Sequence, residues 1–360
     1  MLQRDQLKIE KLARENPNQL AFLTANVRDF YVQEIVSWQY ENKAYATGLF
    51  FVKENDQYIA TQGMIPIFLK AHGKQVLTAK SESSFLLPAF RGKGIFETLY
   101  LQTIETSEQD GVELVWGFTE LSKVWREKLA FDVVDGLIHE SELQIRFLKS
   151  FISSWSSKQS LTNKLKSSLK AVVSLLKSKQ LPKPNKEYSA AFIALEEADN
   201  LQAIIELSAT WEKNHPTFTT LLLDEAYINW RITNNPVARY QIIGIYSNRQ
   251  LVGYGVVNNT SKKAYLLDFI VPEQVHFTES FMALLRILKG KGSVSHLIYW
   301  ASHKNDYASS IHDLFQSRGA FRHVNNSMNF VYKKTKKSTM DNIEISDLYI
   351  NGLWTEGFSI

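Results

Sequence analysis

The chain is predicted to be α+β, with two tandem domains built on mixed central sheets and joined by a basic helical connector. Three observations predict this. A strand-like run within Ser81–Tyr100 breaks at a proline, passes through a basic glycine turn and enters a helix. A similar order of strands and helices returns in the second half of the chain, and a lysine- and serine-rich stretch separates the two. At 360 residues the chain also exceeds one ordinary hydrophobic core. The expected division is a first domain over 1–142, a connector over 143–186, a second domain over 187–335 and an apolar tail over 336–360.

In the first half, Ser37–Asn42 leads into a strand over Ala46–Lys53, a polar turn Glu54-Asn55-Asp56 and a second strand over Gln57–Ile67. Phe85, Leu86 and Leu87 form a short apolar run that Pro88 ends, because proline lacks the backbone donor and has a restricted φ. Arg91-Gly92-Lys93-Gly94 follows. Its side chains can pair with phosphate, and its glycines let the backbone turn sharply and approach a ligand. Ile95, Leu99, Gln102 and Thr103 then keep helical spacing, with Phe96 and Tyr100 beside them, so the turn lies at a helix N-terminus where free amides favour an anion. A strand over Glu113–Phe118 and a helix carrying Leu121, Val124, Trp125, Lys128 and Leu129 complete this half.

The second half repeats the order. Trp230 and a polar corner precede strands over Tyr240–Tyr246 and Gln250–Asn258, with Ser247-Asn248-Arg249 as the turn between them. Phe269-Ile270-Val271-Pro272 stands where Phe85-Leu86-Leu87-Pro88 stood, and a helix over Phe277–Gly292 and a strand over Ser295–Trp300 follow. The basic glycine turn is missing. Glu273, Gln274, Val275 and His276 bring a negative charge and no glycine to that position, so one anion site per chain is expected, in the first copy.

The chain has no cysteine, which excludes disulfides, thiolate catalysis and thiolate metal sites. Its eight histidines show no HxxxH or HExxH spacing, and no metal site is expected. The charged N-terminal stretch lacks the apolar core of a signal peptide, and no run reaches the length of a spanning helix, so a cytoplasmic location is expected. Lys333–Lys337 reads as a solvated boundary after the last strand, without interleaved aromatics, and no nucleic-acid partner is expected.

Residues 81–131 resemble the GNAT superfamily of acyl-CoA-dependent N-acyltransferases. Its pyrophosphate loop, Arg/Gln-x-x-Gly-x-Gly/Ala, is matched by Arg91 and Gly94 and departs at Phe96. RGKGIF is similar to a subgroup associated with surface polysaccharide synthesis. The resemblance implies that Arg91, Gly92, Lys93, Gly94, Ile95 and Phe96 hold the diphosphate of acetyl-CoA. It also implies that Phe85, Leu86 and Leu87 pair with the pantetheine and that the amide near Leu87 serves as oxyanion donor. Where the family carries Asn and a thiolate-protonating Tyr, this chain has Thr119 and Arg126, and guanidinium does not give up its proton at neutral pH. Tyr100 and Tyr58 are the replacements considered. The candidate bases are Glu82, just upstream on the same strand, and Glu120, at the end of the opposing one. The implied activity is transfer of acetyl from acetyl-CoA to an amine of a small molecule or amino sugar. An aminoacyl-tRNA-dependent ligase and a non-catalytic binding module are the alternatives.

Two segments carry expectations of their own. Residues 143–186 hold Arg146 and nine lysines without an acidic residue, a charge of +10 that, against +4 overall, leaves −6 elsewhere. Within it Leu161, Leu165, Leu169, Val172 or Val173, and Leu176 form one apolar stripe with lysines around it. The stripe is expected either to pack across the two domains or to make peripheral membrane contact through 158–179. The tail Leu348–Ile360 is too apolar to remain in water and must dock. It is expected on the second domain or, more sharply, in the acceptor cleft of the first, with Glu356 or the terminal carboxylate as base.

Overall fold

The computed structural model describes residues 8–13, 16–41, 47–146, 160–163, 165, 168–169, 172, 176, 185–260, 262–340 and 342–355. The chain divides into two compact units. The first is Met1–Gly136 with Asn326–Ile343, and the second is Leu137–Asn325 with Glu344–Ile360.

The first unit contains β1 (Lys8–Lys11), α1 (Pro17–Asn26), α2 (Gln33–Tyr40), β2 (Leu49–Glu54), β3 (Gln57–Ala71), β4 (Lys74–Leu86), α3 (Ile95–Gln109), β5 (Leu114–Thr119), α4 (Ser122–Lys128) and β6 (Asp132–Val134). The second contains β7 (Ile138–Gln144), β8 (Tyr188–Ile193), α5 (Ala198–Asn214), β9 (Thr219–Leu221), α6 (Glu225–Ile228), β10 (Tyr240–Ser247), β11 (Gln250–Asn259), β12 (Lys263–Ile270), α7 (Phe277–Gly290), β13 (His296–Ser302), α8 (Asp306–Ser317) and β14 (Phe321–Val324). The chain then returns to the first unit as β15 (Asn329–Lys334).

The two sheets follow one plan. In the first the order is β1-β2-β3-β4-β5-β15-β6, and in the second β14-β7-β13-β12-β11-β10-β8. Within each of these paths one pair is parallel, β4 with β5 and β12 with β13, and the other pairs are antiparallel. The turns repeat too. Asn55 and Asp56, at φ 48° and 63°, join β2 to β3, and Asn248 and Arg249, at 49° and 69°, join β10 to β11. Two successive left-handed residues match the right-handed strand twist, so both are tight hairpin turns.

Strand exchange replaces the linear boundaries expected at 142 and 335. Ile138–Gln144 pairs with β13 and β14 in the second sheet, and Asn329–Lys334 pairs with β5 and β6 in the first. Lys333 and Lys334 therefore lie within the last strand rather than after it. The Lys333 ammonium donates to the Leu129 carbonyl at 2.6 Å.

One face of the first sheet packs against α3 and α4. Ile95, Leu99, Tyr100, Ile104 and Trp125 meet Ala60, Met64, Ala79 and Val115 there. Alternation along β2 sends Phe51 to the other face, where Phe22 of α1 meets Phe51, Tyr58 and Phe85 at centroid distances of 6.5, 6.2 and 6.2 Å.

In the connector, Leu161–Asn163, Leu165, Ser168, Leu169, Val172 and Leu176 are helical; the rest of 147–184, apart from Ser160, lies outside the described residues. Packing across two domains, one of the expectations, would have buried the stripe, and its described side chains are not buried. Leu161, Leu165, Leu169, Val172 and Leu176 are 40–72% exposed. Among the described residues no helix is long and apolar enough to cross a membrane, and no group of three or more acidic or histidine side chains is placed to hold a metal.

Candidate active site

β4 and β5 pair only over Thr78–Lys80 and Leu114–Trp116. Beyond that they part. Gly117 is the last point of close approach, since a Cβ there would come within 3.3 Å of the Ser81 carbonyl oxygen. On its other side β4 stays paired with β3 through a bulge, where Gly63 meets Glu82 but Thr61 meets Phe85. Ser83 is the residue that absorbs the bulge, in the left-handed region at φ 51°. Its hydroxyl bonds the Tyr31 and Tyr40 hydroxyls at 2.8 and 2.7 Å, and its carbonyl accepts from Thr61 Oγ1 at 2.6 Å. These contacts hold a serine in a conformation it rarely adopts, directly where the strands separate.

The bulge decides which groups reach the opening. Ala79 faces α3, so alternation places Lys80 and Glu82 on the opposite face, toward α1. Past Ser83 the register has moved by one. Leu87 donates its amide to the Ile59 carbonyl at 2.9 Å, which makes Leu86 the alternate residue, with its N–H and C=O pointing away from β3. The expected oxyanion donor near Leu87 is therefore already used in the sheet, and the free amide at the opening is that of Leu86. Arg91 Nε donates to the Leu86 carbonyl at 3.3 Å, tying the start of the glycine turn to the end of β4.

That turn has the form the sequence implies. Pro88–Phe90 makes one 3₁₀ turn, and Arg91, Gly92, Lys93 and Gly94 are exposed. Gly92 and Gly94 sit at φ 76° and 77°, and nothing lies within 4 Å of where a Cβ would be. Gly94 caps α3, so the first amides of a 15-residue helix open onto this bare turn. Buried Ile95 anchors it, Phe96 packs on Tyr100 at 5.7 Å, and Lys93 lies 4.9 Å above the Phe90 ring. The turn thus brings together open backbone donors, a helix N-terminus and two cationic side chains, a combination whose chemistry suits an anion.

Of the acid–base candidates, Glu82 lies at the opening. It is buried and ion-paired with the equally buried Lys80, whose ammonium is 5.9 Å from the Trp116 ring centroid. Gln62 organises the neighbouring polar groups, donating to Ser81 Oγ at 3.0 Å and accepting from Ser84 Oγ at 2.6 Å. Glu120 is exposed in the bend after β5. Arg126 is half exposed and pairs with Asp135 at 2.9 Å. The Tyr58 hydroxyl is engaged by Glu10 and Asn16. Tyr100 lies fully buried beneath the strand, and burial raises its phenol well above the ordinary range. A cleft of about 360 Å³ opens between α1, the β2–β3 turn and Leu87, beyond the end of β4 rather than beside Glu82. Sequence reasoning missed Lys80, Tyr31, Tyr40 and Ser83. The signal for Lys80 was its spacing of two from Glu82, which places the two charges on one face of the strand.

In the second unit the corresponding opening is filled. β12 and β13 pair over Lys263–Leu266 and His296–Tyr299 and then separate. The chain's own tail enters there. Ser302 donates its amide to the Ile350 carbonyl at 2.9 Å, Ala301 bridges Asn351, and Gly352 lies so close to Leu267 that a Cβ would come within 2.9 Å of its Cα. The tail thus packs in the second unit and not in the acceptor cleft of the first, and Glu356 and Ile360 lie outside the described residues. Leu348, Tyr349, Ile350, Leu353 and Trp354 are all buried there, and such side chains gain more by completing an open core than by lining a polar cleft. The turn after β12 is Gln274–His276, with Glu273 3.6 Å from His276 and no glycine, as the sequence implies.

Asp268 anchors the tail from the end of β12. One carboxylate oxygen accepts from Tyr349 Oη at 2.8 Å, Asn351 Nδ2 at 2.9 Å and the Phe269 amide at 2.9 Å. Burial outweighs these bonds and pushes its pKa up to about 7. The folded state therefore holds a proton that the unfolded chain releases near pH 4, and the stability this supplies is lost as pH rises toward 7. His139 and His312, held down to about 4 and about 3 chiefly by burial, act in the opposite sense, so the test is a difference. Asp268→Asn keeps the accepting oxygen without the charge. Its stability relative to the parent should rise by roughly 1 kcal/mol per pH unit between pH 4 and 7, measured by urea unfolding. A constant difference would show that Asp268 is charged throughout.

No protein-family model matches the chain, and no curated protein matches it in sequence. Solved structures do match its fold. A probable N-acyltransferase from Enterococcus faecalis superposes with a TM-score of 0.61 at 10% identity, over 91% of this chain and 72% of that one. A GCN5-related N-acetyltransferase from Anabaena variabilis gives 0.60 at 12% identity, over 91% and 72%. A tandem GNAT protein from the clavulanic acid biosynthesis pathway gives 0.55 at 12% identity, over 91% and 98%. With two mixed sheets on one plan, each opening beside its single parallel pair, the chain has the α+β tandem GNAT fold.

Proposed function

We propose that the first unit transfers an acetyl group from acetyl-CoA to an amine on a small molecule or amino sugar. The observation that carries this reading is the continuity from the free Leu86 amide, along the end of β4, to the open left-handed turn at Gly92 and Gly94. The diphosphate would lie on Arg91, Lys93 and the first amides of α3, which leaves the pantetheine to run along the separated edge of β4. The thioester carbonyl would then accept from the Leu86 amide. Glu82 takes the proton that the acceptor amine loses as its nitrogen bonds to the carbonyl carbon and the carbon–sulfur bond breaks. Lys80 offsets the burial of that carboxylate. The coenzyme A thiolate leaves toward solvent or takes a proton there, since Arg126 cannot supply one.

Calorimetric titration with acetyl-CoA and coenzyme A, followed by a transfer screen over amino sugars, polyamines and amino acids, tests the reading. Binding without turnover of any acceptor would favour a binding module, which the replacement of the usual tyrosine by Arg126 also supports. No binding would remove the reading. Glu82→Gln should lower kcat about 100-fold or more while leaving acetyl-CoA affinity unchanged. The same change leaves Lys80 buried without its counter-charge and should cost roughly 3–5 kcal/mol of stability, so kcat is read where circular dichroism shows the variant folded.

A further inference from the structure

The connector helix presents an apolar face that neither the fold nor the proposed chemistry uses. Leu161, Leu165, Leu169, Val172 and Leu176 follow one another at intervals of four, four, three and four residues. At 3.6 residues per turn they fall within an arc of about 80°. All five are exposed, from 40% at Val172 to 72% at Leu161, whereas among the described residues the α-helices of the two units expose single large apolar side chains, Leu101 in α3 and Val124 in α4. Large aliphatic side chains scattered singly over a surface are ordinary, but five on one face of one helix are not. Lys158, Lys164, Lys166, Lys170 and Lys177 are interspersed with these positions in the sequence. The whole of 143–186 carries ten cationic residues and no acidic one, while the remainder of the chain is net negative.

We infer that this helix docks on an anionic lipid surface. An aliphatic stripe enters the boundary between headgroups and acyl chains, and lysines around it meet the negative headgroups; the two features together describe a helix lying in the plane of a membrane. A nucleic acid would use the lysines and leave the leucines in water. A protein partner covering the stripe would need acidic groups arranged around a narrow apolar seam, whereas an anionic bilayer supplies charge on every side of it. Among the described residues no helix is long and apolar enough to cross a bilayer, so this one lies in the surface. Docking is independent of whether the first unit turns over acetyl-CoA.

Flotation of the full chain with vesicles of phosphatidylcholine alone, or of phosphatidylcholine with phosphatidylglycerol, tests it. Binding to the anionic vesicles should be at least roughly tenfold tighter and should weaken at high salt. Leu165→Ser with Leu169→Ser should reduce it about tenfold or more without altering the fold, because both side chains already face water. Equal binding to the two vesicles overturns the inference, as does anionic binding that the serine substitutions leave intact. A soluble dimer that the same substitutions dissociate, seen by light scattering, would assign the stripe to a second copy of the chain. RNA binding that the substitutions leave unchanged, in a protein that ignores vesicles, would assign the lysines to nucleic acid.

Discussion

Gly94→Val should abolish measurable binding of both acetyl-CoA and coenzyme A, with affinity falling by more than about 100-fold, while the protein still folds. Gly94 caps α3 at φ 77°, a region that a β-branched residue enters only with strain of about 1–2 kcal/mol. In the free protein that strain is the whole penalty, because nothing lies within 4 Å of the added Cβ. The ligand is what needs that space. A valine side chain there stands between the diphosphate and the first amides of the helix, and relaxing φ to a negative value would turn those amides away. The loss should be the same for coenzyme A and its acetyl ester, since in the proposed arrangement the acyl end would lie at Leu86 and not at the turn. Titration should also give one site per chain in the parent, and Glu273→Gln in the second unit should change nothing. Retained affinity in Gly94→Val would remove the diphosphate from this turn.

What could be read in the sequence is what is local in it. Pro88, Gly92, Gly94 and the helix from Ile95 lie within a few residues of one another, and each has its own conformational reason to be there, so the glycine turn and the helix start were legible before the structure. The internal repeat was visible for the same reason, in the two hairpin turns at Asn55-Asp56 and Asn248-Arg249. The exchange of β7 and β15 was not. Buried Ser141 and Leu143 show which face of β7 meets a core, but an alternation of two does not say which sheet supplies the partner. Ser83 explains why, near Leu87, the amide turned away from β3 is that of Leu86. A single left-handed residue shifts every later amide of β4 to the other edge, and serine gives no sign of this, because its conformation is held by Tyr31 and Tyr40, more than forty residues upstream. The run of five polar residues Lys80–Ser84 within the strand was the trace it left.

The two units show how one fold yields one opening and one closed core. Both sheets separate beside their parallel pair, and a separated pair leaves backbone donors and acceptors without strand partners. In the first unit the Leu86 amide and carbonyl face the opening, and Ser81–Ser84 and Gln62 make its surroundings polar. In the second, the equivalent gap is lined by Leu267, Asp268, Ala301 and Ser302 and receives backbone from the tail. A peptide strand there satisfies the same groups that a pantetheine would. The second unit is thereby stabilised by a segment of its own chain in place of a ligand.

Trp354→Ala is accordingly expected to cost the second unit about 3–5 kcal/mol, the range for removing a fully buried tryptophan from a core. The indole is completely inaccessible, and so, within 1%, are Leu348, Tyr349, Ile350 and Leu353 around it. Its backbone is held on both sides: Tyr227 Oη donates to the Leu353 carbonyl at 3.2 Å, and buried Arg231 donates to the Thr355 carbonyl at 2.8 Å. These bonds keep the tail from sliding to refill the space, so the cavity should persist and the cost should lie toward the upper end. Urea unfolding gives the value. A change below about 1 kcal/mol would mean that the tail leaves the gap readily, and the second unit would then have to be considered as a second place for acetyl-CoA.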